Sequence, residues 1–506
     1  MPRLLTPPDL DDASFAAAMK PVGEIALGPA RIVITTYLDT FDWRLFNVGM
    51  VLTEELAGGR RLCLLDNDAA PYATPAEARP TIAETLPAGH LADRIGRALG
   101  VRSLLPVGAT RIVRRDGRIE DRNGNLVARL RLDEVTVIDS RGGPAGQAVT
   151  TVWIDHSAAA AMLERIAGVS VIAGHDLVTA AAAWGRTPGD YSSKLRIQLD
   201  PEEHADRALR AILLDLLSTI EINTDGAIAD HDSEFVHDLR VACRRSRSAL
   251  TQVKGVLEPE LTAPANAELK WLGKVTNPLR DLDVYLLEMP SYRSLVPPDA
   301  AADLAPVESS LRRSRARAHR AVVRALRSTR FSAFTAGWRA ALMTDAPAPG
   351  PEAQRPVVEL AADRVDRAYR RILKHGLRLG DDPPATALHQ IRIDAKKLRY
   401  LLEFFASLFP ARDVADRVGD LKRLQDILGG VNDMQVQRRR LTELAEELRP
   451  EPSVGTGCLL ALGRLAGALE ARQDGFRHDF HNAFADFASK PVRHAFEQLT
   501  RVRRQT

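Results

Sequence analysis

Two stretches of the chain place chemically useful side chains at a shared interval. In VHDLRVACRRSRSAL, residues 236–250, His237, Arg240, Arg244 and Arg247 stand at i, i+3, i+7 and i+10. In ALHQIRIDAKKLRYLLEF, residues 387–404, His389, Arg392, Lys396 and Arg399 repeat that interval. On a helix turning about 100° per residue, four such positions fall within an arc of roughly 80° and cover about 15 Å of axis. Each segment would carry a row of one histidine and three cations. Its other edge is apolar, with Phe235, Val241 and Leu250 in one copy and Ile391, Leu398, Leu402 and Phe405 in the other. Such a row suits an extended anion. Arginine offers a planar fork to paired oxygens, and lysine a movable point charge. The histidines would add donors when protonated, below about pH 6.5.

The elements that hold these rows are themselves repeated. A shift of 152 carries His237, Arg240, Arg244 and Arg247 onto His389, Arg392, Lys396 and Arg399, and also Lys270 onto Lys422 and Asp281 onto Asp433. DRALRAIL at 206–213 matches DRAYRRIL at 366–373 at a shift of 160. A duplicated helical unit accounts for this register. From residue 202 onward apolar residues recur at helical spacing, with separate helices expected at 265–275, 281–290, 412–427 and 433–448 among others. TDAPAPGPEAQRP, 344–356, breaks the run as a linker or crossover. Asp281 and Asp433 read as N-caps. The densest basic run, LRRSRARAHRAVVRALRSTR at 311–330, has arginines all round its helix and no basic counterpart in the second copy; it is a candidate outer extension of the site.

The first 200 residues follow another pattern. RIVITTYL, MVLTEEL, RRLCLLD, TRIVRR, NLVARLRLDEVTVID and QAVTTVWID alternate apolar and polar side chains as half-buried strands do. AGG at 57–59, NGN at 123–125 and RGGPAG at 141–146 supply turns between them. WGRTPGDYSSKLRIQLDPEE, 184–203, marks the boundary with the helical part.

Composition excludes little but sets limits. A chain of 506 residues exceeds one ordinary core. Net charge is +3; residues 1–200 hold 22 Lys+Arg against 24 Asp+Glu, and the remainder 47 against 42. An anion site must therefore come from placing cations together, not from bulk charge. Three distant cysteines, Cys63, Cys243 and Cys458, form no CxxC pair, so neither a disulfide frame nor a zinc knuckle is expected. No apolar run reaches membrane-spanning length and no leader pattern opens the chain, so the expected address is the cytoplasm.

The HxxRVxxRRxR and HxxRIxxKKLRY stretches, with LKWLGKVTNPLRDLDV at 269–284 and LKRLQDILGGVNDMQV at 421–436, resemble the CHAD (conserved histidine α-helical) domain over residues 202–506. YLDTFDWRLFNVGMVL, 37–52, resembles the signature of the CYTH or triphosphate tunnel domain. That family holds metal with a first-strand ExExK; here VGEIALGP keeps Glu24 alone, with Ala26 and Gly28 in the other places, so the resemblance is to a degenerate, inactive member. The implied fold is multi-domain. An α+β antiparallel CYTH-like barrel or curved sheet occupies 1–195, followed by an all-α CHAD domain of two pseudo-symmetric four-helix bundles, 202–343 and 357–506, joined at 344–356.

The resemblance implies non-enzymatic binding of inorganic polyphosphate, location on polyphosphate granules, and granule-associated proteins as candidate partners. The candidate binding set is His237, Arg240, Arg244, Arg245, Arg247, Lys270, Lys274, Arg280, His389, Arg392, Lys396, Lys397, Arg399, Tyr400, Lys422 and Arg423. No catalytic residue, metal ligand, cofactor or membrane contact is expected, and the sequence is silent on oligomeric state. Two other readings compete. One is a CYTH-type metal-dependent triphosphatase anchored by the helices. The other is a nucleic-acid binder, disfavoured because aromatic content is 5% and the rows lack stacking residues beyond Tyr400. The bland alternatives are histidines that only fix helix contacts, and cations that pair on a solvated face.

Overall fold

The computed structural model describes residues 3–7, 12–66, 69–165, 169–172, 176–344, 350–380, 383–450 and 454–501. It divides into two compact units, Met1–Ser192 and Ser193–Thr506.

The first unit is built on an antiparallel sheet. Its strands are β1 (Arg3–Leu5), β2 (Glu24–Leu27), β3 (Arg31–Thr40), β4 (Met50–Leu56), β5 (Arg60–Asp66), β6 (Ala69–Pro75), β7 (Leu104–Glu120), β8 (Leu126–Ile138), β9 (Val149–Ile154) and β10 (Ser170–Ile172). Helices α1 (Asp12–Met19), α2 (His90–Leu99), α3 (Ser157–Leu163) and α4 (Leu177–Ala183) accompany them. The order runs β10-β1-β9-β8-β7-β3-β4-β5-β6, with β2 added on β7. Among the described residues β10 and β6 do not pair, so the sheet is open and not a closed barrel. Period-two alternation gives it two apolar sides. Leu130, Leu132, Val152 and Ile154 pack with Phe15 and Met19 of α1 and Leu163 of α3. Leu38, Leu52, Leu62 and Leu64 receive Leu91, Ile95 and Leu99 of α2. Tyr37, Val51 and Val107 receive Leu177, Ala180 and Ala181 of α4. That last contact requires Gly108, where a Cβ would lie 2.6 Å from the Ala180 backbone.

The aspartate of the YLDT stretch serves the turn after β3. Asp39 accepts from the backbone N–H groups of Thr40, Leu45 and Phe46 at 2.7, 3.0 and 2.9 Å. Burial, opposed by those three bonds, raises its pKa to about 6.

The second unit is helical. Its first half holds α5 (Ala205–Ile222), α6 (Thr224–Ala229), α7 (Ser233–Gln252), α8 (Pro259–Ser294), α9 (Pro298–Ala302), α10 (Ala305–Leu326) and α11 (Thr329–Leu342). Its second half holds α12 (Val357–Gly376), α13 (Ala385–Phe404), α14 (Ala411–Leu448), α15 (Thr456–Phe487) and α16 (Lys490–Leu499). Packing repeats with the sequence: α5 lies on α7, α7 on α8 and α8 on α10, as α12 lies on α13, α13 on α14 and α14 on α15. The two halves meet where α7 touches α13. They meet again in an apolar core that takes Tyr285 and Met289 from α8, Leu311 from α10, Leu441 and Leu444 from α14, and Leu462 and Leu465 from α15.

Two expectations need correction. The segments 265–275 and 281–290 are parts of one 36-residue helix, α8, and 412–427 and 433–448 are parts of one 38-residue helix, α14. Asn277-Pro278 and Gly429-Gly430 read as breakers. An interior proline loses one backbone bond, but Leu272, Thr276, Leu279 and Leu282 keep one buried stripe running through it. Burial of several such side chains outweighs that loss. Asp281 and Asp433 consequently lie inside helices and not at their starts. Of the expected linker, 345–349 falls outside the described residues. Its remainder is tied down: the N–H groups of Ala205 and Asp206 donate to the carbonyls of Arg355 and Ala353, both at 3.0 Å, and Glu352 N–H to Gly255 at 2.8 Å.

Candidate functional site

Helix α7 starts cleanly because Asp232 accepts from the Glu234 N–H at 2.9 Å, which sets the rotation of everything after it. Phe235, Leu239, Ala242 and Cys243 are buried, so the cationic edge is turned away from the core. In α13, Ile391, Ala395 and Leu398 do the same.

Between these helices lies a cleft of about 870 Å3. His237, Arg240 and Arg244 of α7 line it together with Arg392 and Lys396 of α13. Helix α8 adds Asn277, Arg280, Asp281 and Tyr285; α10 adds Ser314; α14 adds Gln437, Arg439, Arg440 and Glu443. Seven permanent cations thus face two carboxylates. A second hollow of about 270 Å3 shares Arg240 and Arg244 and adds Arg247, Lys270 and Lys274. The two spaces form a continuous basic surface through the shared arginines.

Several of these cations are held in place by neutral partners. Arg240 Nη1 donates to the Asn277 side-chain oxygen, and at 3.3 Å each to the Gly273 carbonyl and the Thr276 hydroxyl. Arg244 Nε donates to the Tyr400 hydroxyl at 2.7 Å. Other cations have acidic neighbours: Arg280 approaches Glu234 at 3.5 Å, and Arg439 and Arg440 meet Glu443 at 3.1 and 3.3 Å. The local field is nonetheless positive. Burial, then Arg280 and, more weakly, Arg244 and Arg240, drives the His237 pKa down to about 4 against the opposing pull of Asp238. Burial, with the cations around it, therefore keeps His237 a neutral imidazole down to about pH 4, which corrects the expectation of protonation below about pH 6.5.

The structure brings together His237, Arg240, Arg244, Arg280, Arg392 and Lys396 of the expected set in the cleft, with Arg247, Lys270 and Lys274 in the adjoining hollow. The others lie elsewhere. His389 is exposed near the start of α13 and does not line the cleft. Arg245 donates to the Ser193 carbonyl and to Glu403, both at 2.8 Å. Arg399 donates to Gln425 at 2.8 Å and pairs with Glu403 at 3.2 Å. Tyr400 is 3% exposed and reaches the site only through Arg244. The Lys397 carbonyl accepts from Gln252 at 3.2 Å. Lys422 is exposed on α14, and Arg423 pairs with Asp420 beside a separate pocket. Arg439 and Arg440 were missed. They belong to the run RRR at 438–440, but a shift of 152 aligns them with Leu287 and Glu288, so the repeat gives no sign of them.

The family comparison covers every cation of this cleft: the CHAD domain family matches residues 211–442. Residues 211–442 are a CHAD domain. Two curated proteins of Mycobacterium tuberculosis, the uncharacterized proteins MT2285 and Rv2226, are each 28% identical to this chain over 327 residues, 60% of its length. The match spans 59% of the length of those relatives. Among solved structures, the crystal structure of the CHAD domain from the plant Ricinus communis is 26% identical, covers 60% of this chain and 96% of its own, and gives a TM-score of 0.49. PptA from Streptomyces chartreusis is 20% identical, covers 56% of this chain and 99% of its own, with a TM-score of 0.42. No described helix is long and apolar enough to cross a membrane.

Proposed function

We propose that the CHAD domain binds inorganic polyphosphate without catalysis, along the cleft and the hollow that adjoins it. One observation carries the reading: Arg240 and Arg244 from one half and Arg392 and Lys396 from the other line a single space. A phosphate chain needs spaced donors and offers nothing to stack or read, and that is what this surface provides. Residence on polyphosphate granules, and contact with granule proteins, would follow from such binding. The N-terminal unit serves as a scaffold in this reading, with its CYTH-type chemistry lost. In support, Glu54 is committed to Arg60 at 2.6 Å and to Arg79, and Asp133 to Arg114 at 2.8 Å, so these carboxylates are not left for a metal.

The test is a salt-titrated binding measurement on the full chain with long-chain polyphosphate. Counterion release contributes about 0.7 to the slope of log K against log salt per phosphate neutralised. Contact by most of the seven cleft cations gives an expected slope of about −3 to −5. Salt-independent binding, or equal affinity for duplex DNA in competition, would overturn the proposal.

A further inference from the structure

Helix α10 carries a second basic surface that the cleft does not use. Arg317, Arg320 and Arg324, with Arg327 at the helix's C-cap, are exposed at intervals of three and four residues. They fall within roughly 80° of the helix circumference, over about 15 Å of axis. Two other arginines of this helix are differently engaged: Arg312 pairs with Glu308 at 2.6 Å, and Arg315 with Asp230 and Asp283 at 2.7 Å each. Glu308 is the helix's single acid. Arg320, Arg324 and Arg327 have no acidic partner among the described residues, and Arg317 donates only to the Ser314 hydroxyl, at 2.9 Å.

That last bond locates the row. Ser314 lines the cleft, so the arginine row begins at the cleft wall and runs from it along the outside of the helix. Packing does not demand these residues. At a shift of 152, Arg317, Arg324 and Arg327 correspond to Leu469, Phe476 and Asp479 of α15, and Arg320 alone falls on another arginine, Arg472; α15 lies on α14 as α10 lies on α8. Four like charges at this spacing repel one another, and an extended anion laid along them would relieve that.

We propose that this row is an outer track onto which a polyphosphate chain continues after leaving the cleft, so that the domain favours long chains over short ones. The inference rests on the cleft being the primary site. A short chain is satisfied by the cleft alone. A long one gains further contacts within the same molecule, at high effective concentration and without a second binding event.

The experiment compares tripolyphosphate with long-chain polyphosphate on the full chain, as wild type and as R317A/R320A/R324A/R327A, with thermal melting as a check on folding. The expected result is a loss of about tenfold or more in long-chain affinity. The salt slope is expected to shrink by about two to three, at about 0.7 per contact. Tripolyphosphate binding is expected to stay unchanged. The four-lysine variant, which keeps the charge, is expected to retain most of the long-chain affinity. Unchanged long-chain binding, an equal loss for both ligands, or a larger loss of DNA binding would overturn the track. Tripolyphosphate binding insensitive to R240A/R392A would instead overturn the cleft itself, an outcome separate from any result with the α10 variant.

Discussion

Arg244 and Tyr400, 156 residues apart, are joined by a 2.7 Å hydrogen bond from the guanidinium Nε to the phenolic oxygen. The bond crosses from α7 to α13 at the seam between the two halves and fixes the direction in which Arg244 enters the cleft. Tyr400→Phe keeps the buried ring and removes the acceptor. We expect a stability loss of about 1 kcal/mol by denaturant unfolding. Polyphosphate affinity should fall by a few fold, because Arg244 must then be ordered by the ligand. No change in either quantity would show that the bond orients nothing.

Arg240 and Arg392 come from equivalent places in the repeat and line one space. Replacing both by alanine should weaken polyphosphate binding far more than Asp281→Asn does, and should flatten the salt dependence by about one to two units of slope. A parallel titration of the three proteins decides this. Equal losses would mean that the cationic surface is not where the anion lies.

His237 gives a pH dependence with a definite sign. Its folded-state pKa of about 4 lies below the ordinary 6.5, so folding favours the neutral ring. Its contribution to stability is full above about pH 6.5 and is lost as pH falls toward 4. A bound polyanion acts oppositely and favours the imidazolium. Binding near pH 5.5 is therefore expected to take up a proton, seen as a calorimetric heat that varies with the ionisation enthalpy of the buffer. His237→Gln should abolish that variation. Its persistence in the variant would assign the proton to another group.

Arg315 ties α10 to two carboxylates, the Asp283 side chain being only 2% exposed. Arg315→Met leaves a buried charge without its partner, and a cost of about 3 kcal/mol or more is expected in chemical denaturation. Arg320→Ala on the same helix, exposed and without an acidic partner among the described residues, should cost less than about 0.5 kcal/mol. Similar values for the two would contradict the division of this basic run into structural and surface arginines.

The cationic rows of α7 and α13 were legible because a helix converts sequence interval directly into angle. The fate of each row was not. Arg240 and Lys396 reach the cleft, whereas Arg399, at an equivalent angle one turn further on, is taken by Gln425 and Glu403, acceptors contributed by tertiary packing and by the next turn. Local signals also misled where burial overrode them. Pro278 looks like a boundary until Leu272 and Leu282 are seen to share one buried stripe across it. In the sheet unit the alternating strands were visible, but the short pairings of β1 with β9 and β10 were not, since three residues carry too little periodicity.

The apolar core shared by α8, α10, α14 and α15 bears on how the chain acquires its fold. A fragment ending after α11 would leave Tyr285, Met289 and Leu311 facing water, and a fragment beginning at α12 would do the same to Leu441, Leu444 and Leu462. During synthesis, the earlier half must wait for the later one before that surface closes, so the duplicated segments mature as a single cooperative body.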